Sequence, residues 1–148
     1  TMAHTPQQLA EMVRDHMFAR DRVAQSLQMR ITHIAPGEAT IEMQVTGDML
    51  NGFDTCHGGF ITTLGDTAFA YACTTRNEVT VASGLSVDFV APGRPGDVLV
   101  AEAREQSQAG RTGVYDVTIR NPQGQLVALF RGRSYSMKGK PVVPVTTP

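Results

Sequence analysis

Cysteine is scarce in this chain of 148 residues, with Cys56 and Cys73 alone. Two cysteines cannot build a disulfide framework, and they carry nothing like a zinc-finger spacing. No apolar run approaches the length of a membrane span, and the N-terminus is polar, unlike a signal peptide. Charge of one sign is also missing: the formal net charge is −1, which leaves no overall basic surface and argues against a nucleic-acid binder. Neither an internal repeat nor a low-complexity segment is visible. What remains is 41% hydrophobic and 18% charged, the balance of an ordinary globule rather than a disordered chain. The expectation is one cytoplasmic domain over residues 1–148, with no membrane contact and no nucleic-acid partner.

Thr5-Pro6-Gln7-Gln8 has the pattern of a capped helix start, and Leu9, Met12, Val13 and Met17 follow at helical spacing. This predicts a helix over about 6–20, within an N-terminal helix and arm that reaches about residue 24. Leu27 to Ile34 alternates weakly and ends at Pro36-Gly37. From Ala39 to Val45 the alternation is clean, as in a half-buried strand. A second helix is expected over about 58–75, where Phe60, Ile61, Leu64, Ala68, Phe69 and Ala72 wrap most of the circumference. Thr62, Thr63, Asp66, Thr67 and Ala70 form its one polar or small strip. Strands follow at about 79–90, 98–107, 113–120 and 126–136, and a flexible tail at about 138–148. Short turns favour antiparallel neighbours, so the class is α+β: about six antiparallel strands curling around one apolar helix. One helix cannot protect both faces of such a sheet, and an apolar outer face or bare edge would drive self-association.

The chemistry concentrates at Asn51 to Tyr71, where a glycine-bearing polar loop opens the apolar helix and Asp66 is its single acid. Gly58 and Gly59 serve close packing at a helix entry, and they equally allow a ligand to approach a free backbone N–H that can hold developing negative charge. Asp66 reads either as a buried acid satisfied by threonine hydroxyls or Arg131, or as a base or nucleophile with a pKa raised by burial. His57 either fixes the loop or takes part in catalysis, and Asn51 either shapes the turn or binds a carbonyl. Cys56 beside His57 makes a poor nucleophile pair, and Asp54, Cys56 and His57 lack the separation of a metal cluster. No metal and no cofactor is expected. Asp66 follows Gly58 by eight residues, about 12 Å along a helix axis. Both must lie within roughly 3 Å of the reacting atoms to act on one carbonyl. One helix cannot deliver both, so if both are catalytic the site needs Gly58 from one subunit and Asp66 from another, in a two-fold dimer with two sites.

Asn51, the His57-Gly58-Gly59 triplet and Asp66 on one helix resemble the hot-dog-fold acyl-CoA thioesterases, and in particular the phenylacetate-degradation type. Met49-Leu50-Asn51-Gly52, Asp66 to Cys73, Val87-Asp88-Phe89, Thr112 to Asp116 and Ala128 to Gly132 carry the likeness further, over roughly 20–137. The resemblance implies a hot-dog fold, a curved sheet wrapped around a long central helix, with dimers assembling as a homotetramer. It implies hydrolysis of an acyl-CoA, of phenylacetyl-CoA or a ring-hydroxylated relative, to free acid and CoA. By position, Gly58 N–H polarises the carbonyl, Asp66 of the partner subunit is base or nucleophile, Asn51 lies near the thioester, and His57 supports the loop. Gly84, Leu85 and Ser86 follow the pantetheine arm, with Thr112, Arg111, Arg131 and Arg133 toward the nucleotide. Gly59, Phe53, Leu50, Met49 and Phe60 border the acyl pocket. Two other readings stay open: a non-catalytic acyl-CoA-binding module, and a dehydratase, which would want an acid–base histidine in a different arrangement.

Overall fold

A computed structural model describes residues 4–145. Residues 1–3 of the expected N-terminal arm and 146–148 of the expected tail lie outside the described residues. The first helix, α1 (Pro6–Phe18), starts as its sequence predicts. Thr5 Oγ1 accepts from Gln8 N–H at 3.0 Å, and Gln8 Oε1 accepts from Thr5 N–H at 2.9 Å. It stops at Phe18 because a second short helix follows, α2 (Arg22–Ser26), which the spacing of apolar residues does not announce. Asp21 organises that junction. One carboxylate oxygen caps α2 by accepting from Ala24 N–H, and the other accepts from the Tyr71 hydroxyl at 3.1 Å.

Six strands form one antiparallel sheet: β1 (Arg30–Ala35), β2 (Glu38–Gln44), β3 (Thr80–Phe89), β4 (Val98–Ala109), β5 (Thr112–Arg120) and β6 (Leu126–Ser136). Their order is β1-β2-β4-β5-β6-β3, so the strand that follows the long helix crosses to the far edge. That helix, α3 (Gly58–Thr74), lies against the inner face, where Ile41, Met43, Leu99, Tyr115, Val117, Ile119 and Phe130 point. The hot-dog architecture expected from the resemblance is what this arrangement is. Two glycines let sheet and helix approach closely: Gly65 on α3 receives the Phe130 ring, and Gly132 on β6 receives the Phe69 ring. The threonines of α3 stay inside an apolar helix because each hydroxyl donates to the carbonyl one turn back, Thr62 to Gly58, Thr63 to Gly59 and Thr67 to Thr63.

The outer face is polar and cross-linked by charge. Arg30 pairs with Glu42, Arg104 with Glu38, and Arg131 with Asp116, each across neighbouring strands. Apolar exposure gathers at the β3 edge, where Val81, Leu85 and Phe89 are open on a ten-residue strand and Val90 just beyond it, and the strand's outer backbone has no neighbour among the described residues. Of the two features expected to drive self-association, the bare edge is present and the outer face is largely solvated. Within the stretch expected as a flexible tail, Asn77 Oδ1 accepts from the N–H groups of Val142 and Val143, and Asn77 Nδ2 donates to the Val143 carbonyl.

Candidate active site

The loop before α3 is built around Asn51. Its side-chain Oδ1 accepts from Phe53 N–H at 2.9 Å and, more loosely, from Thr55 N–H and Thr55 Oγ1, both at 3.3 Å. Asn51 N–H donates to the Thr55 carbonyl, and Asp54 sits at φ 59, which closes the turn. Asn51 therefore shapes the loop with its oxygen. Its amide Nδ2 has no partner among the described residues and remains free to donate. Leu50 is half-buried and bridges Cys56, whereas Phe53 stands at the loop tip, 88% exposed.

His57 is the N-cap of α3. Its backbone N–H donates to the Met49 carbonyl at 2.7 Å, and its ring Nδ1 accepts from Gly59 N–H at 3.1 Å. That bond requires Nδ1 to be unprotonated, so the ring is a fixed acceptor at the helix start. In the single chain His57 holds the start of α3 through these two bonds. Gly59 N–H is thereby occupied, and Phe60 and Ile61 N–H groups both reach the His57 carbonyl. Gly58 N–H is left without a partner among the described residues, at the positive end of a 17-residue helix. Cys56 makes no dyad with His57. Its thiol is buried, its Sγ turns to the His57 carbonyl, and desolvation pushes its pKa up to about 11. Among the described residues no three His, Cys, Asp or Glu side chains gather as a metal site.

A cleft of about 470 Å³ opens at this helix start, lined by Asn51, Thr55, Cys56, Gly58, Ile61 and the segment Phe89–Pro92. Nothing in the sequence places the Phe89–Pro92 wall at this site. It comes from the end of β3, held by Val90 and Ala91 N–H groups that both donate to the Val127 carbonyl, a pairing with no local signature.

Asp66 corrects one expectation. It is exposed on the surface of α3 in the single chain, not sunk among apolar side chains. The helix strip that carries it is the one its own sheet does not cover. Enough solvent is still displaced around the carboxyl to raise its pKa above the ordinary 3.8. Neither proposed partner satisfies it: the nearby threonine hydroxyls donate within the helix, and Arg131 is held bidentately by Asp116 at 2.6 and 2.8 Å. No hydrogen bond or ion pair to Asp66 occurs among the described residues.

The chain does not bring all the expected site residues together. Gly84, Leu85 and Ser86 lie on the β3 edge, with the Arg133 guanidinium against Gly84. Arg131 and Arg133 alternate with the inward Phe130, Gly132 and Ser134, which puts them on the sheet face opposite α3. Arg111 and Thr112 lie at the β4–β5 turn, level with Tyr135 and Val81. Phe89, beside Gly58, is eight residues beyond Val81 along β3, roughly 26 Å at strand rise. Within one chain these groups and Gly58 cannot hold one small molecule's reactive end together.

The sheet curled on one helix is the hot-dog arrangement, and the comparisons with known proteins give its family. The thioesterase superfamily profile matches residues 53–128, and the chain belongs to that family. It is similar to the Escherichia coli acyl-coenzyme A thioesterase PaaI, 46% identical over 123 residues, which are 83% of this chain and 88% of that one. The structure of the E. coli PaaI protein from the phenylacetic acid degradation operon superposes with a TM-score of 0.90 at 42% identity, covering 92% of this chain and 99% of that one. The TT0310 protein of Thermus thermophilus superposes at 0.75 and 39% identity, over 78% and 97%.

Proposed function

We propose that this thioesterase hydrolyses acyl-CoA, with aryl-acetyl groups such as phenylacetyl or its ring-hydroxylated forms as the acyl class, at sites completed by a second copy of the chain. The observation that carries it is the pair of unanswered groups on α3: a free N–H at Gly58 and an unpartnered carboxyl at Asp66, eight residues apart. The Gly58 N–H would polarise the thioester carbonyl and hold the oxyanion as it forms. Asp66 of the partner subunit would take the proton of the attacking water, or attack the carbonyl itself. Where Asp66 activates water, collapse of the tetrahedral species breaks the C–S bond, and the proton taken from the water passes to the CoA sulfur, giving the thiol and the free acid. Where Asp66 attacks, collapse expels the CoA thiolate and leaves an aspartyl–acyl anhydride, which a water then hydrolyses to the free acid and Asp66, its proton going to the thiolate. Asn51 Nδ2 would donate beside the thioester, and His57 would keep the helix start in shape.

The bare β3 edge supports the two-fold partner. Pairing β3 antiparallel with its copy would set α3 antiparallel to the partner's α3, and so carry each Asp66 toward the opposite Gly58. The same operation would bring the partner's Gly84–Ser86 segment and β4–β5 turn toward this helix start, where Thr112 and Arg111 could meet the CoA arm. The aryl-acetyl assignment rests on the phenylacetic acid degradation operon named for the E. coli relative and on a cleft of small-acyl size. The test is thiol release from a panel of aryl and aliphatic acyl-CoAs, with Asp66→Asn and Asp66→Ala beside wild type. Both variants should be nearly inactive, and activity should return when an Asp66→Ala chain is mixed with a chain blocked at Gly58. Thiol release untouched by either substitution would remove Asp66 from the mechanism. None from any substrate would leave a binding module.

A further inference from the structure

Phe89 ends β3 on the helix side of the sheet, paired with Ala128, and its ring rests against Gly58. A Cβ placed on Gly58 would lie 2.9 Å from Phe89 Cζ and 3.2 and 3.3 Å from Cε2 and Cε1. Since Cβ and N of one residue are about 2.5 Å apart, the ring tip lies within roughly 5.5 Å of the Gly58 nitrogen. A carbonyl oxygen accepting from that nitrogen sits about 3 Å away, and its carbon about 4 Å. Gly58 and Phe89 line the same cleft, so a carbonyl held by the Gly58 N–H brings the group it carries close to this ring. The cleft's other apolar walls are Ile61, Val90, Ala91 and Pro92, and Asn51 and Thr55 add its polar lining.

Resting on the thioesterase reading above, we infer that Phe89 is the residue that selects the acyl group. Its backbone is fixed by the Ala128 pairing and by the Val90 and Ala91 bonds to Val127, so only the side-chain torsions can move. Within its own chain the ring is 53% exposed, so its own chain leaves it room to turn. An aryl-acetyl group gains an edge-to-face or offset contact with the ring, and a linear acyl chain gains only area. Phe53, the other candidate aromatic, does not line the cleft and is almost wholly in solvent. Gly58 thus serves two ends: it leaves an N–H free, and its missing side chain makes the space that Phe89 fills.

The test compares kcat/KM for phenylacetyl-CoA and hexanoyl-CoA in wild type, Phe89→Leu, Phe89→Ala and Phe89→Tyr, with thermal unfolding and oligomeric mass measured for each. Leucine and alanine should lower the aryl-to-alkyl ratio about threefold to tenfold, mostly through KM for the aryl substrate. Tyrosine, which keeps the ring, should hold the ratio within about twofold. A ratio unchanged in both leucine and alanine variants that still release thiol would overturn the assignment of Phe89 alone. A tyrosine variant that loses the ratio as leucine does would overturn it too. Absence of thiol release from wild type on either substrate would instead sink the hydrolase reading, and this inference with it.

Discussion

Alanine at Gly132 should destabilise the folded chain by about 3 kcal/mol, the upper end of the usual overpacking cost. The added Cβ would lie 2.7, 2.7 and 2.8 Å from three Phe69 ring atoms, where ordinary contact begins at 3.4 Å, so the ring must recede by 0.7 Å. It has nowhere to go. Phe69 is 1% exposed, and its ring lies 5.7 Å from that of Tyr115 and 6.0 Å from that of Phe130. Phe130 is itself wedged against Gly65, so displacement passes on to α3. At roughly 2–4 °C per kcal/mol for a chain of this size, the melting temperature should drop by about 6–12 °C. Gly58→Ala is the control, because the chemical change is the same and the neighbour is a half-exposed ring on a strand edge. There the ring needs to yield by 0.5 Å, from 2.9 to 3.4 Å, and being half-exposed at the strand edge it has room to do so. Its melting temperature should stay within about 3 °C of wild type, while thiol release falls sharply. Unfolding must be compared at matched protomer concentration, since association shifts apparent stability. A Gly132→Ala chain that melts with wild type would refute the close-packing argument for the whole helix–sheet seam.

Asp66→Asn should reduce turnover by roughly 10²–10⁴, and the acid limb of the wild-type kcat/KM profile, set above pH 3.8 by the raised Asp66 pKa, should vanish with it. The same shift has a sign for stability: a folded pKa above the unfolded value favours the protonated form, a contribution fully present at low pH and lost as pH rises through the folded value. Asparagine cannot ionise, so the variant should melt slightly above wild type at pH 7, by under about 1 kcal/mol for so exposed a group, and level with it near pH 3. Melting below wild type at pH 7 would contradict this. His57→Ala removes the acceptor for Gly59 N–H and should cost about 0.5–2 kcal/mol in denaturant unfolding, with His57→Asn restoring most of it. Asn77→Ala loses three bonds to Val142 and Val143 and leaves alanine at φ 64, so limited proteolysis should remove the C-terminal residues well before wild type is cut. Equal protection in both chains would show that the anchor holds nothing.

What could be read from sequence was whatever a short window can signal. The Thr5–Gln8 cap, the α3 bounds and the alternation of β2, β5 and β6 are each settled within a few residues, and the structure has them within about two positions. Five residues of α2 make less than two turns and show no period, so it went unseen. Arg131 and Arg133 were recoverable: counting outward from the inward Phe130 places both on the far face, and charge alone was a poorer guide than parity. The place of Phe89 at the site was not recoverable, because only the pairing of β3 with β6 lays it against Gly58, and that pairing spans more than thirty residues. Asp66 fails for a different reason. A helix whose residues are apolar nearly all round predicts burial nearly all round, but the chain has one sheet and can cover only part of the circumference. The strip left open bears the Asp66 carboxyl, the helix start bears the free Gly58 N–H, and the neighbouring β3 carries an unpaired edge with exposed Val81, Leu85 and Phe89. A polar donor, a partly desolvated acid without a partner and a bare apolar strand each carry a cost. They adjoin one another, and one two-fold contact along β3 would answer all three.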